Sequence, residues 1–214
     1  MENTQVKAAE TLKAPTANRE TRRNYITTIV GMGLMTAIVV VLQVFAASIK
    51  LGEFSITLTL APIVIGAALF GPLAGAWLGL VFGAVVLLSG DAAPFMEISV
   101  AGTIITVLLK GALSGLAAGF IYHLIQKKNK YAAVVSAGIA APIVNTGVFV
   151  LGVFAFFFGT ISEWAEGAGM GAVQFIFVGL IGLNFFVELG INLVLSSVIV
   201  TILNYANKMI NNNR

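Results

Sequence analysis

A chain of 214 residues that is 58% apolar and only 10% charged, with a mean hydropathy of +0.99, holds too little polar surface to wrap a soluble core. Zero cysteines exclude disulfides, thiolate metal sites and a cysteine nucleophile. The net charge of +3 implies no nucleic-acid partner, because the basic residues are confined to short windows that a membrane topology explains.

Residues 1–24 are polar, lack an apolar centre and read as a tail. The apolar runs that follow are roughly 20 residues long, the length that crosses about 30 Å of hydrocarbon as a helix. A first span is predicted over Tyr25–Ala47, long enough to remain in the membrane and not be removed as a signal peptide. A second runs over Ile56–Phe70 and ends at Gly71-Pro72, a pair suited to a tight turn. The third, Leu73–Ser89, places glycines at 71, 75, 79 and 83; after the loop GDAAPFMEI the fourth, Ser99–Ile125, repeats the pattern at 111, 115 and 119. The fifth covers Tyr131–Phe158, the loop GTISEWAEGAGMGA follows, and the sixth covers Val173–Tyr205. Alternating strands of the outer-membrane barrel type are absent from this pattern.

The fold expected is therefore all-α: a polytopic membrane protein with a compact bundle of six transmembrane helices over residues 25–207, flanked by tails at 1–24 and 208–214. Lys7, Lys13, Arg19, Arg22, Arg23, Lys127, Lys128, Lys130, Lys208 and Arg214 fall on one side of such a layout. By the positive-inside rule that side is the cytoplasm of a multi-pass cell-membrane protein, and both termini lie there. The opposite loops carry Glu53, Asp91, Glu97, Glu163 and Glu166 with one basic residue, Lys50.

Lipid supplies no hydrophobic force between helices, so small residues at four-residue spacing serve close backbone approach. The two long glycine ridges read as packing within the bundle. Gly33 and Ala37, a shorter version in the first span, suit either internal packing or the docking face of another membrane subunit.

Polar groups inside the bilayer are costly and point to function or pairing. Ser99, Thr103, Thr106 and Lys110 recur at steps of four, three and four, which stacks them on one helical stripe. Lys110 lies about eleven residues, or roughly 16 Å, from the outer end of its span. Gln174, Asn184, Glu188 and Asn192 share an arc of the sixth span, and Asn145 and Thr146 sit mid-depth in the fifth. These residues describe either an outward-opening polar pocket or, for Lys110 and Glu188 alone, a structural ion pair. A lysine with Asn145 and Asn184 suits a small anion bearing hydroxyl and amide groups. Phe95, Phe149 and Trp164 offer stacking surface for a larger ring system.

No GxxxxGK[ST] loop, HExxH or GxSxG motif occurs, so no catalytic role is expected and no cofactor or metal is implied. A carrier or channel acting alone is the competing class, although the two halves show no internal repeat of the secondary-transporter kind.

The run TLTLAPIVIGAALFGPLAGAWLGLVFGAVV, together with the span layout and the small-residue motif of the first span, resembles the S components of energy-coupling factor (ECF) vitamin transporters over residues 25–207. The resemblance implies a subunit that binds a vitamin from outside and has no ATPase of its own. Energy comes from a separate membrane coupling subunit and two cytoplasmic ATPases. The family's alanine, three residues, alanine contact falls here on Gly33 and Ala37, so the first position is glycine. GPLAGAWLGLVFG and APIVNTGVF are most similar to the pantothenate branch, with riboflavin, folate or a related molecule as the alternatives.

Overall fold

The computed structural model describes the backbone of residues 2–47, 50–51, 54–55 and 59–212, and the side chains of 25–47, 59–182 and 185–205. The tail basics Lys7 to Arg23, Lys50, Glu53, the start of the second predicted span at Ile56, Lys208 and Arg214 lie outside the described side chains. In chain order the elements are α1 (Glu2–Ala47), a two-residue antiparallel ladder of β1 (Lys50–Leu51) and β2 (Phe54–Ser55), α2 (Leu60–Phe70), α3 (Pro72–Leu88) and α4 (Ala93–Ile98). Then come α5 (Val100–Ile125), α6 (Lys130–Gly152), a π-helical segment at Val153–Phe157, α7 (Phe158–Gly167), α8 (Ala172–Gln174), a second π segment at Phe175–Gly182 and α9 (Leu183–Asn212).

Among the described residues, four helical stretches are long and apolar enough to cross a membrane: Tyr25–Ala47, Val100–Ile125, Lys130–Gly167 and Ala172–Tyr205. The second and third predicted spans are shorter helices, Leu60–Phe70 and Pro72–Leu88. Gly71 joins them with φ 101°, a left-handed value open to glycine, and Pro72 begins α3 where its missing N–H costs no helical bond. Two predicted loops prove partly helical. The segment after α3 holds α4, and the fifth span continues through the π segment into α7 as far as Gly167.

The α5 and α6 starts are capped as their sequences allow: Ser99 Oγ accepts from the Gly102 N–H at 3.2 Å and Asn129 Oδ1 from the Ala132 N–H at 3.0 Å. Large apolar side chains point outward in numbers that water would not tolerate, Leu73 (81% exposed) and Leu88 (86%) among them, as expected for a surface solvated by lipid.

The two glycine ridges meet each other. A methyl group added at Gly79 would strike the backbone carbonyl of Gly111, one at Gly111 the carbonyl of Gly79, and Gly75 and Gly115 oppose each other in the same way. Gly83 faces the Val107 carbonyl at 2.8 Å from such a methyl, and Gly119 faces Pro72 at 2.6 Å. The α3 and α5 backbones therefore approach closely from Pro72 to Gly83 on one side and Val107 to Gly119 on the other.

One apolar cluster, including Leu60, Ile63, Leu78, Phe82, Val107 and Ala137, fills the space around this seam. A second, with Phe95, Val153, Phe157, Ile161, Ile176 and Leu180, gathers around α4, α7 and the π segments.

Gly79→Ala forces a methyl into rigid backbone and is expected to destabilise the protein by about 1–3 kcal/mol, the overpacking range. Gly147→Ala, where the added methyl meets nothing within 4 Å, serves as the control and should be near neutral. Thermal unfolding in detergent reads both; equal losses would remove the seam from its structural role.

Candidate functional site

Where the two apolar clusters meet, α1, α3, α5, α6, α9, the second π segment and the turn into α4 leave a cavity of about 100 Å³. Its apolar wall takes Phe82, Val86 and Val107 from the first cluster and Phe95, Leu180 and Ile181 from the second. The π segments shape this wall, since each wide turn adds a residue and rotates the following face by about 100°.

Lys110, Asn145, Thr146, Phe149, Phe95 and Glu188, singled out from the sequence, all reach the cavity. The Lys110 ammonium stands 5.4 Å from the Phe149 ring centroid and 6.0 Å from that of Phe82, within cation–π range. It is also attracted by the carboxylates of Glu188 and, more weakly, Asp91. Phe95 meets Phe149 edge-to-face, with centroids 5.4 Å apart, and leans on Phe157 at 5.2 Å, so the aromatic wall is braced from behind. Asn145 is 5% exposed, and among the described residues its Oδ1 has no hydrogen-bond partner. A buried acceptor left open on a cavity wall is completed when a ligand brings a donor.

Thr106 and Trp164 are not on the wall. Thr106 is turned into the α5–α6 contact, where a methyl added at Gly152 would collide with it, and its Oγ1 is buried without a partner. On α7 the buried residues are Ile161 and Ala165, while Trp164 remains 37% exposed. The side chain of Asn184 lies outside the described residues. Ser99 and Thr103 on the predicted stripe serve the helix itself, as a cap and through a 2.8 Å bond from Thr103 Oγ1 to the Ser99 carbonyl. Asn192 Nδ2 likewise donates to the backbone carbonyl of Glu188 at 3.0 Å, not to its carboxylate.

Sequence reasoning passed over Gln43 and Asp91, both on the cavity wall. Gln43 carried a signal, a lone carboxamide within an apolar run near the end of a span. Asp91 carried none, because a loop carboxylate ordinarily faces water.

The family model for the ECF transporter substrate-specific component matches residues 27–203. The chain belongs to this family. No curated protein and no solved structure matches the chain. As an S component it is a membrane-embedded, substrate-specific subunit of a transporter, and the family implies a vitamin-type substrate and ECF coupling and ATPase partners. The cavity is the place in this S component where cation, carboxamide, hydroxyl and aromatic groups converge.

Removing the orphaned hydroxyl in Thr106→Val keeps the side-chain shape and is expected to stabilise the S component by about 1 kcal/mol, a rise of about 2–4 °C in melting temperature. Substrate affinity should not change. A clear loss of affinity would place Thr106 in the binding site after all.

Proposed function

We propose that this S component captures pantothenate from the outer side of the membrane, with the vitamin's carboxylate at Lys110 and its amide and hydroxyls on the polar wall. The observation that carries this reading is the convergence of Lys110, Asn145, Thr146 and Phe149 on one cavity. Its volume of about 100 Å³ is a better match to a small flexible acid than to the fused rings of riboflavin or folate. Asn184, one turn before Glu188 on α9, belongs to the same proposed set.

Lys110 faces the cavity together with two carboxylates, so an anion is not drawn in by net charge alone. A ligand that couples an anionic end to several donors answers all of these groups, and pantothenate has that make-up. The membrane layout proposed with it keeps the six spans, with α2 and α3 as short membrane-embedded helices and both termini in the cytoplasm.

We further propose that α1 docks on the membrane coupling subunit through Gly33 and Ala37. Both are exposed, and among the described residues a methyl added at Gly33 meets nothing within 4 Å, which supports a small-residue face open to a partner helix.

The ligand reading is tested by titrating purified protein with pantothenate and by mass spectrometry of what co-purifies. Tight binding without nucleotide is expected, and Lys110→Met should weaken it by the roughly 2–5 kcal/mol typical of truncating one partner of a buried charge pair. If Lys110→Met leaves affinity intact, lowers ligand-free stability and is rescued by Glu188→Gln, the lysine is a structural ion-pair partner. Strong gradient-driven uptake by the S component alone would replace this reading with a secondary carrier.

The docking reading makes a separate forecast. Gly33→Leu combined with Ala37→Leu should cut reconstituted uptake by on the order of tenfold or more by blocking close helix approach, with pantothenate affinity retained. A parallel fall in both quantities would assign the motif to internal packing.

A further inference from the structure

Gln43 is 2% exposed, and both ends of its carboxamide are engaged: Nε2 donates to Asp91 Oδ2 at 3.2 Å, and Oε1 accepts from Thr59 Oγ1 at 2.8 Å. The chemistry of the three groups fixes the direction of this chain. An ionised Asp91 only accepts, so the amide nitrogen of Gln43 must face it. That puts Oε1 toward Thr59, which is itself fully buried and must donate its hydroxyl proton. The three residues come from the end of α1, the turn entering α2 and the turn after α3, and the chain they form ends at the cavity wall.

From these contacts, and resting on the pantothenate reading above, we infer that Asp91 recognises the hydroxyl end of the ligand while Gln43 and Thr59 are positioning residues that hold its carboxylate in place. Asp91 lines the cavity, and because a carboxylate accepts several hydrogen bonds at once, a ligand hydroxyl can be added to the contacts it already makes. Hydrogen bonds to a charged acceptor are the short, strong kind and discriminate sharply against a ligand that lacks the donor. The Asn145 carboxamide oxygen, buried on the same cavity without a partner among the described residues, asks for a donor as well. Lys110 asks for an anion. The site is thus built for a two-ended ligand, and the Asp91 end selects for hydroxyls.

The test uses the full-length protein in detergent with two probes, pantothenate and an analogue whose hydroxyls are replaced by hydrogen, titrated calorimetrically. Wild type should favour pantothenate by roughly 10- to 100-fold. Asp91→Asn should erase most of that preference by weakening pantothenate far more than the analogue. Thr59→Val, which releases the Gln43 carboxamide, should also erode the preference, and Thr59→Ser, which restores the donor, should recover it. A merely structural role weakens both probes alike and leaves the ratio unmoved; the ratio is also readable in the Thr59 pair should Asp91→Asn fail to fold. An unchanged ratio in Asp91→Asn, or in Thr59→Val where Asp91→Asn does not fold, overturns the inference while the pantothenate reading stands. Failure of wild type to bind either probe removes the pantothenate reading and this inference with it.

Discussion

The contact on which the rest depends is the glycine seam between α3 and α5. Backbones this close leave no room to rotate either helix, because any residue other than glycine at 75, 79, 111 or 115 would overlap the facing carbonyl. The rotation decides what each helix shows the cavity. Gly111 is locked in the seam, so its neighbour Lys110, about 100° around the helix, is carried to the cavity side. On α3 the same lock on Gly79 and Gly83 turns Phe82 and Val86 onto the opposite wall. Lysine and aromatic ring meet because their helices were already fixed by residues that have no side chain.

Charge inside the bundle is tolerated on the same terms. A lone ammonium at this depth would be costly, and two aromatic faces together with the fields of Glu188 and Asp91 offset part of the cost of burying Lys110. The polar residues of α9 below it are buried and turn inward on their own helix: Asn192 Nδ2 bonds to the Glu188 carbonyl, and Ser196 Oγ donates to the Asn192 carbonyl at 2.8 Å. Gly138 of α6 packs over both, with Ser196 Oγ 3.5 Å and the Asn192 carbonyl 3.6 Å from the place its Cβ would occupy. Polar periodicity on α9 therefore serves packing at one level and the cavity at another.

This separation explains why an S component can keep a recognisable frame and still differ in what it binds. The seam, the Gly71-Pro72 turn and the lipid-facing exterior make no reference to a ligand. The wall groups come from six or more separate pieces of chain. A fold of this kind constrains where the site is, whereas the side chains lining it set the chemistry.

Hydropathy and helical spacing depend on near neighbours in the chain, so the sequence by itself determined the membrane class, the long spans, the two glycine ridges and, of the polar stripe on the fourth span, the interior place of Lys110. It also named Asn145, Thr146 and Glu188, since a polar residue at mid-span has few places to go but the bundle interior, and it offered Phe149 and Phe95 as stacking surface. Only the tertiary structure decided that α2 is a short helix of 11 residues, that π segments interrupt the long helical stretches at Val153–Phe157 and Phe175–Gly182, and that Thr106 packs against Gly152 off the cavity wall. The Asp91 contact was decided there as well: Gln43 and Asp91 are 48 residues apart, and nothing local to either forecasts the other. Their meeting depends on where α3 ends relative to α1, a consequence of how the helices pack and not of any period that a single helix carries.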